Sequence, residues 1–206
     1  MACAAASRWR ARWRVRERLR CAVRSVRRDA EGVELQTGQG TERYDQVVLA
    51  CHSDEALGLL ADPTPAEREV LGAMRYQRNE TVLHTDARLL PHRRKAWAAW
   101  NAYIPAEPGA HCTVSYCMNL LQGLDAPEPL VVSLNRTQDI DPAKILARMS
   151  YAHPLHDHAS VAAQARRAEI NGVDRIWYAG AGWGYGFHED GLRSGVEVAQ
   201  ALGVAW

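Results

Sequence analysis

The sequence predicts an α/β fold that carries an inserted part of α+β type. Residues 175–203 read as a short apolar strand, a loop with four glycines, and a helix. Residues 45–50, DQVVLA, predict a short buried strand earlier in the chain. From Tyr76 onward, strand-like runs alternate with loops that contain proline and glycine. These runs predict an antiparallel sheet inserted between two parts of the first domain.

Composition limits the classes of protein to which the chain can belong. With 206 residues, 47% of them hydrophobic, the chain can bury one sizeable core. No apolar run approaches the roughly 20 residues that cross a bilayer, so we expect a cytoplasmic protein without an integral membrane segment. Five irregularly spaced cysteines indicate neither a disulfide framework nor a metal-binding pair.

Charge is distributed unevenly along the chain. The first 28 residues hold ten arginines and one acid, which gives this segment +9 and leaves −8 for the rest of a chain whose total is +1. An acidic body argues against a nucleic-acid partner. Three interpretations of the basic segment, residues 1–22, stay open: a transit-type peptide, an arm that binds RNA or a membrane, or a misassigned start.

The glycine loop near the C-terminus has the features of a ligand site. Glycines allow backbone N–H groups to approach a ligand closely, and the N-terminus of the next helix adds a positive potential. We expect Asp190 to be the N-cap of that helix, Leu192 and Val196 to lie on its buried face with Ala199, and Gly203 to end it. The competing interpretation is a tight turn that only packs a helix against a strand.

Local chemistry also indicates which ligand suits the loop. Three aromatic residues interleave with the glycines: Trp183, Tyr185 and Phe187. Two acids at the helix start, Glu189 and Asp190, would repel a bare phosphate. The loop therefore predicts a polyol or the polar edge of a flat ring as the ligand.

The segment YAGAGWGYGFHEDGLRSGVEVAQALG resembles the C-terminal, flavin-contacting segment of the amine-oxidase-like FAD-dependent oxidoreductases, and in particular a bacterial branch of NAD/FAD-binding proteins. The segments YDQVVLACHSDEAL, RYQRNETVLHTDARLLP and AWAAWNAY follow the family order, so the resemblance begins near Val23. It implies FAD as the cofactor and hydride transfer to FAD from an amine or from a hydrophobic substrate of lipid or acyl type. It also implies a discontinuous FAD-binding domain, residues 23–62 and 160–206, around a substrate domain, residues 63–159.

The resemblance implies specific site residues. Cofactor contacts are expected at Val23, Ala50, Gly180, Ala181, Gly182, Gly186, Phe187, His188, Glu189 and Asp190. His188 is the candidate catalytic residue, either through its imidazole or through its backbone alone. Because many relatives carry an acid where this chain has Ala181, we expect Glu189 or Asp190 to hold the ribityl chain. The small-molecule substrate is expected to contact Trp100, Asn101, Tyr116 and Tyr185.

Three other motifs, one of them absent, limit the cofactor binding and the chemistry that the sequence predicts. The sequence has no G-x-G-x-x-G between a strand and a helix, so we expect a missing N-terminal half and weak or no FAD binding by this chain alone. The alternative is a non-catalytic module that pairs with a separate front half. The histidines of HPLHDH, residues 153–158, lack the spacing of a metal motif, and we expect no metal. GLRSG, residues 191–195, places Ser194 within a helix, which disfavours a hydrolase.

Overall fold

A computed structural model describes residues 17–106 and 113–204. Contacts divide this chain into two units, one formed by residues up to Arg75 and from His156 onward, and the other by Tyr76–Leu155. Residues 63–75, which the sequence placed in the substrate domain, thus lie in the first unit. Residues 1–16 of the basic segment lie outside the described part.

The strands and helices follow one another as a mixed α/β chain. The strands are β1 (Val23–Arg28), β2 (Val33–Thr37), β3 (Gly40–Tyr44), β4 (Val47–Leu49), β5 (Tyr76–His84), β6 (Trp100–Tyr103), β7 (Thr113–Cys117), β8 (Val131–Leu134), β9 (Ile145–Pro154) and β10 (Ile176–Tyr178). The helices are α1 (Ser53–Leu59), α2 (Pro65–Ala73), α3 (Met118–Gln122), α4 (His158–Ala165) and α5 (His188–Ala201). The α/β class with an antiparallel sheet in the inserted part is confirmed.

The first unit contains two small sheets with helices packed beside them. Strands β1, β2 and β3 form an antiparallel meander, and β4 pairs in parallel with β10. The core draws on both sheets and on α2, with Val26, Val33 and Leu71 fully buried beside Ile176. Sequence-distant segments therefore share one core, because α2 covers strands from both ends of the chain.

Helix α2 illustrates how local chemistry sets a helix boundary. The side chain of Thr64 accepts a hydrogen bond from the N–H of Glu67, while the Glu67 carboxylate accepts one from the N–H of Thr64. Pro65 occupies the first helical position, where its missing N–H costs nothing. The sequence Thr64-Pro65-Ala66-Glu67 predicts this capping box and a helix from Pro65 to about Ala73, and both predictions are confirmed.

A buried ionic cluster ties α2 to both sheets of the first unit. Both oxygens of Glu67 accept hydrogen bonds from Arg28 of β1, at 2.8 and 2.6 Å. The hydroxyl of Tyr178, at the end of β10, donates to Glu67 at 2.6 Å. Burial alone would raise the pKa of Glu67, but the hydrogen bonds from Arg28, Tyr178 and the Thr64 N–H outweigh burial and lower this pKa to about 2.

The second unit is built on one five-stranded antiparallel sheet of order β6-β7-β8-β5-β9. One face of this sheet packs against buried residues of the loops between the strands. Val82 contacts Leu89 and Ile140 there, and Val131 lies in a second cluster with Leu90. Strand β9, which the sequence did not predict, forms the longest pairing, with β5.

The Glu67 cluster makes the free energy of unfolding depend on pH. The folded-state pKa of Glu67, about 2, lies below its ordinary value of 4.5, so its contribution is present above pH 4.5 and is lost as the pH falls through 2. We expect Glu67→Gln to lower the free energy of unfolding at pH 7 by about 3 kcal/mol, because it leaves the Arg28 charge buried without a counter-charge. Denaturant unfolding at pH 7 and at acid pH measures both effects.

Glu69→Gln is the matched control for this prediction. Glu69 lies on the same helix, but its carboxylate is exposed and meets Arg166 at the surface at 3.1 Å. Removing such a surface pair changes stability by less than about 1 kcal/mol. Equal losses of stability in the two variants would contradict the role assigned to the buried cluster.

Candidate functional site

The site lies at the carboxyl edge of the parallel pair β4 and β10. The N–H of Ala179 donates to the carbonyl of Leu49 at 3.0 Å, so both strands end together. Gly180 then adopts a φ of 142°, and a Cβ placed on it would lie 3.5 Å from the carbonyl oxygen of Cys51. Ala50 and the glycine loop are therefore neighbours. Ligands of open α/β sheets bind at such edges.

Side chains of α5 hold the glycine loop from inside. The hydroxyl of Ser194 accepts from the N–H of Gly180 at 2.8 Å. One oxygen of Asp190 accepts from the N–H groups of Tyr185 and Phe187, at 3.0 and 3.1 Å. The hydrogen bond from the Phe187 N–H contributes most to holding the pKa of Asp190 below its usual range. The guanidinium of Arg193 and the N–H of Tyr185 lower this pKa further.

Two further side chains hold the loop from the other side. Gln164 of α4 donates to the carbonyls of Gly182 and Gly184, both at 2.8 Å. Arg167 donates to the carbonyls of Tyr178 and Ser194, at 2.7 and 2.9 Å. Neither residue could be predicted from the sequence, because a polar side chain that bonds to a distant main chain leaves no local motif.

Two expectations for α5 are wrong. Phe187, not Asp190, is the N-cap, and Asp190 occupies the third helical position, from which its carboxylate reaches back to the N-cap N–H. Leu192 is 54% exposed, whereas Ser194 and Val198 are buried. The buried face is set by hydrogen bonds from Asp190 and Ser194 to the loop, and not by apolar periodicity alone. Gly203 follows the helix with a φ of 84°, as expected for a C-terminal glycine.

Only some main-chain amides of the loop are open to a ligand. The N–H groups of Gly184 and Gly186 donate to the carbonyl of Ala181, and those of Tyr185 and Phe187 are taken by Asp190. The expectation of several bare loop amides is therefore only partly met. Among the residues that the structure describes, the N–H groups without a recorded acceptor include those of Gly182, His188 and Glu189. Two of these open the first turn of α5.

The side chains around these amides are accessible. Tyr185 is 81% exposed and Phe187 is 57% exposed, and His188 and Glu189 are exposed as well. The carboxylate of Asp190, by contrast, lies inside the loop and is not available to hold a ribityl chain. Of the two acids predicted for that role, only Glu189 faces solvent.

Val23, the other predicted cofactor contact in this unit, lies apart from the loop in the chain, at the start of β1. Its side chain is half-buried and packs against the core. It also borders a cavity of 580 Å³ on the meander, beside Cys21, Leu35 and Tyr44.

The predicted substrate residues of the second unit divide into two kinds. Trp100 and Tyr116 are direct partners across β6 and β7, and their rings meet edge to face with centroids 5.6 Å apart. The amide of Asn101 is bound to the main chain, because it donates to the carbonyls of Ala98 and Ser115. Asn101 therefore fixes the start of β6. Tyr185 belongs to the first unit.

The competing chemistries gain no support from the described residues. His153 pairs through Nδ1 with the Asn79 amide, and Asp157 caps α4. Residues 17–106 and 113–204 contain no group of three or more His, Cys, Asp or Glu placed to hold a metal. Ser194 is buried and its hydroxyl bonds to the main chain.

Comparison with known proteins agrees with this geometry. Residues 5–84 match the family model of flavin containing amine oxidoreductases. The predicted family resemblance is confirmed, but this match begins at residue 5 and not near Val23, and it does not include the glycine loop. The family is flavin-containing, in agreement with the predicted cofactor, FAD. No curated protein matches the chain significantly by sequence.

Solved structures extend the likeness of fold to most of the chain. A CLA-producing fatty acid isomerase from P. acnes is similar with a TM-score of 0.64 and 15% identity, over 89% of this chain and 48% of that one. Cyclohexylamine oxidase from Brevibacterium oxydans IH-35A is similar with a TM-score of 0.55 and 14% identity, over 88% of this chain and 47% of that one. Wild-type putrescine oxidase bound to putrescine is similar with a TM-score of 0.57 and 10% identity, over 89% of this chain and 49% of that one. The chain spans about half the length of these relatives.

Within residues 17–106 and 113–204, every helix is too short or too polar to cross a bilayer.

The loop geometry makes Gly184 intolerant of a side chain. A Cβ on Gly184 would lie 2.9 Å from the Cβ of Asp190, so Gly184→Ala should displace the Asp190 carboxylate from its N–H donors. We expect a loss of about 1 to 3 kcal/mol in the free energy of unfolding, together with shifted NMR signals for the amides of Tyr185 and Phe187.

Gly195→Ala supplies the control, because a Cβ there meets no atom within 4 Å and lies inside α5. Alanine at such a position raises stability by about 0.5 to 1 kcal/mol. If Gly184→Ala were as stable as Gly195→Ala, Asp190 would not be the residue that holds the loop.

Proposed function

We propose that this chain supplies the flavin-ring side of the FAD site in an oxidoreductase of the amine oxidase superfamily. The observation that carries the proposal is the pair of unbonded N–H groups of His188 and Glu189 at the start of α5. The pyrimidine edge of a flavin carries hydrogen-bond acceptors. A helix N-terminus offers such acceptors both N–H donors and a positive potential.

The neighbouring residues suit a flat, mainly apolar ring with a polar chain attached. Phe187 and Tyr185 expose aromatic surface beside the two N–H groups. Glu189 is the exposed acid that can accept hydrogen bonds from ribityl hydroxyls. Gly186, with a φ of 90°, allows the chain to turn from the loop into α5.

In this proposal FAD, when bound, supplies the redox chemistry by accepting a hydride from the substrate. The chain binds the flavin ring and orients it. The N–H groups of His188 and Glu189 hold the ring edge, and the aromatic side chains exclude water from its surface. The exposed imidazole of His188 is the group placed to move a proton.

The substrate is an amine or a hydrophobic molecule. The similar structures include both kinds: two oxidases whose names specify cyclohexylamine and putrescine, and a fatty acid isomerase. Because the chain spans about half the length of these proteins, the activity of the whole site is part of the proposal.

A second candidate function, pairing with a separate polypeptide that carries the dinucleotide-binding half, is favoured by the parallel pair β4–β10. Parallel sheets are normally covered on both faces and contain several strands. In the described chain this sheet has two strands, and Val48 in β4 is 43% exposed. Flavin binding by the two polypeptides together, but by neither alone, would support pairing.

His188→Pro tests the backbone contact to the flavin. Proline fits the first helical position and removes only an N–H that the helix does not use, and the extended backbone of Phe187 is compatible with a following proline. In FAD titrations followed by amide NMR shifts, we expect responses at Gly182 and Glu189, and an affinity about tenfold weaker in the variant.

His188→Ala is the matched variant, because it keeps the N–H and removes the imidazole. Its affinity for FAD should stay within about twofold of the parent protein. Loss of affinity in His188→Ala but not in His188→Pro would contradict the backbone contact. Unchanged spectra at millimolar FAD, both for this chain alone and in the presence of a polypeptide that carries the dinucleotide-binding half, would contradict the flavin site itself.

A further inference from the structure

The five-stranded sheet of the second unit has one face that the packed loops do not cover. Cross-strand partners lie on the same face of an antiparallel sheet, so the register defines this surface. One continuous row crosses all five strands: Trp100, Tyr116, Val132, Leu83 and Ala147. A second row follows two residues away on each strand: Ala102, Val114, Leu134, Thr81 and Met149. We call these ten residues the open face.

The open face is accessible where its aromatic residues lie. Trp100 is 57% exposed, and Ala147 at the other end of the row is exposed as well. Tyr116, Val132 and Leu83 between them are half-buried, and in the second row Thr81 is buried, so the accessible part of the face is the part around Trp100 and along its first row. With strands about 4.8 Å apart, the row is about 19 Å long, which is the scale of a long alkyl chain.

No ionisable acid or base belongs to the open face. Strands β6, β7 and β8 contain no charged residue, and the charged residues of β5 and β9 point to the other side of the sheet. Those are Arg78, Glu80 and Arg148. Glu80 and Arg148 meet each other there at 3.4 Å. His153, at the far end of β9, lies on the same side of the sheet as the open face but outside it, and its Nδ1 is bound to the Asn79 amide.

This absence of charge discriminates between substrate classes. An ammonium group placed on the open face would lose hydration without meeting a carboxylate from the strands, which is costly. Trp100 and Tyr116 can attract a cation over a free ring face, but at an exposed site this attraction is small beside the cost of desolvating an unpaired ammonium group. An uncharged apolar chain gains from contact along the whole row.

We propose that the open face binds the uncharged alkyl or acyl chain of the substrate, and that cationic amines are poor ligands for it. The inference rests on the proposed function in taking this sheet as the substrate side of a flavin enzyme. The face itself is a property of the second unit, so its ligand preference can be measured without flavin.

Two probes of equal chain length, decan-1-ol and decylammonium, test the preference. We expect decan-1-ol to shift the indole N–H signal of Trp100 and the amides of β6 to β8 in NMR titrations. Decylammonium should bind at least tenfold more weakly, because its charge has no partner on the face.

Two variants on the same strand localise the binding. Trp100→Ala removes the largest side chain of the open face and should weaken decan-1-ol binding about tenfold or more. Tyr103→Ala removes a ring of similar exposure, 47%, from the opposite face, where Arg136 lies over it, and should leave binding unchanged.

Three results would overturn the inference: decylammonium binding as tightly as decan-1-ol, equal losses in the two variants, or no response to decan-1-ol up to its solubility limit. None of these bears on the flavin contact, which is read from the amides of Gly182 and Glu189. Failure of the flavin titration with the dinucleotide-binding half present, together with normal alcohol binding, would instead remove the proposed function and leave an apolar binding surface.

Discussion

The contact among Arg28, Glu67 and Tyr178 determines how the first unit is assembled. It joins β1, α2 and β10, three segments that are 39 and 111 residues apart along the chain. Arg28 and Glu67 are almost completely buried, so each charge depends on the other for the hydrogen bonds that water no longer supplies. Because Tyr178 is the last residue of β10, the same cluster fixes the position from which the glycine loop leaves the sheet.

From that point onward, the loop is shaped by polar side chains that face inward. Arg167 binds the carbonyl of Tyr178, Gln164 binds two carbonyls of the loop, and Asp190 takes two of its N–H groups. Most loop amides are thereby satisfied within the protein, as buried main-chain groups require. Two of the N–H groups left over, those of His188 and Glu189, open α5, and their position is therefore set by the same contacts.

The features that the sequence predicted are those whose cause is local. The capping box of α2, the glycine after α5 and the strands around DQVVLA depend on residues a few positions apart. Strand β9 escaped prediction because its partner, β5, lies far away in the chain and its own residues alternate poorly. In the sequence, Ser194 stands out only as a possible nucleophile, through the motif GLRSG. Its actual role, to bind Gly180 across 14 residues, could not be inferred without the fold.

The second unit places the buried polar groups His84, Asp86 and Ser133 on the packed side of the sheet, whereas the row from Trp100 to Ala147 on the other side carries no charge. On the packed face, the N–H of Asp86 donates to Nδ1 of His84, which places the imidazole proton on Nε2, beside the Ser133 hydroxyl. Burial lowers the pKa of His84 and keeps the ring neutral. The buried hydroxyl of Ser133 also bonds to the hydroxyl of Ser115, so the packed face loses little by holding these polar groups. An accessible face with Trp100 at its edge has no such internal reason to be apolar, and exposed apolar surface of this kind usually marks a binding site.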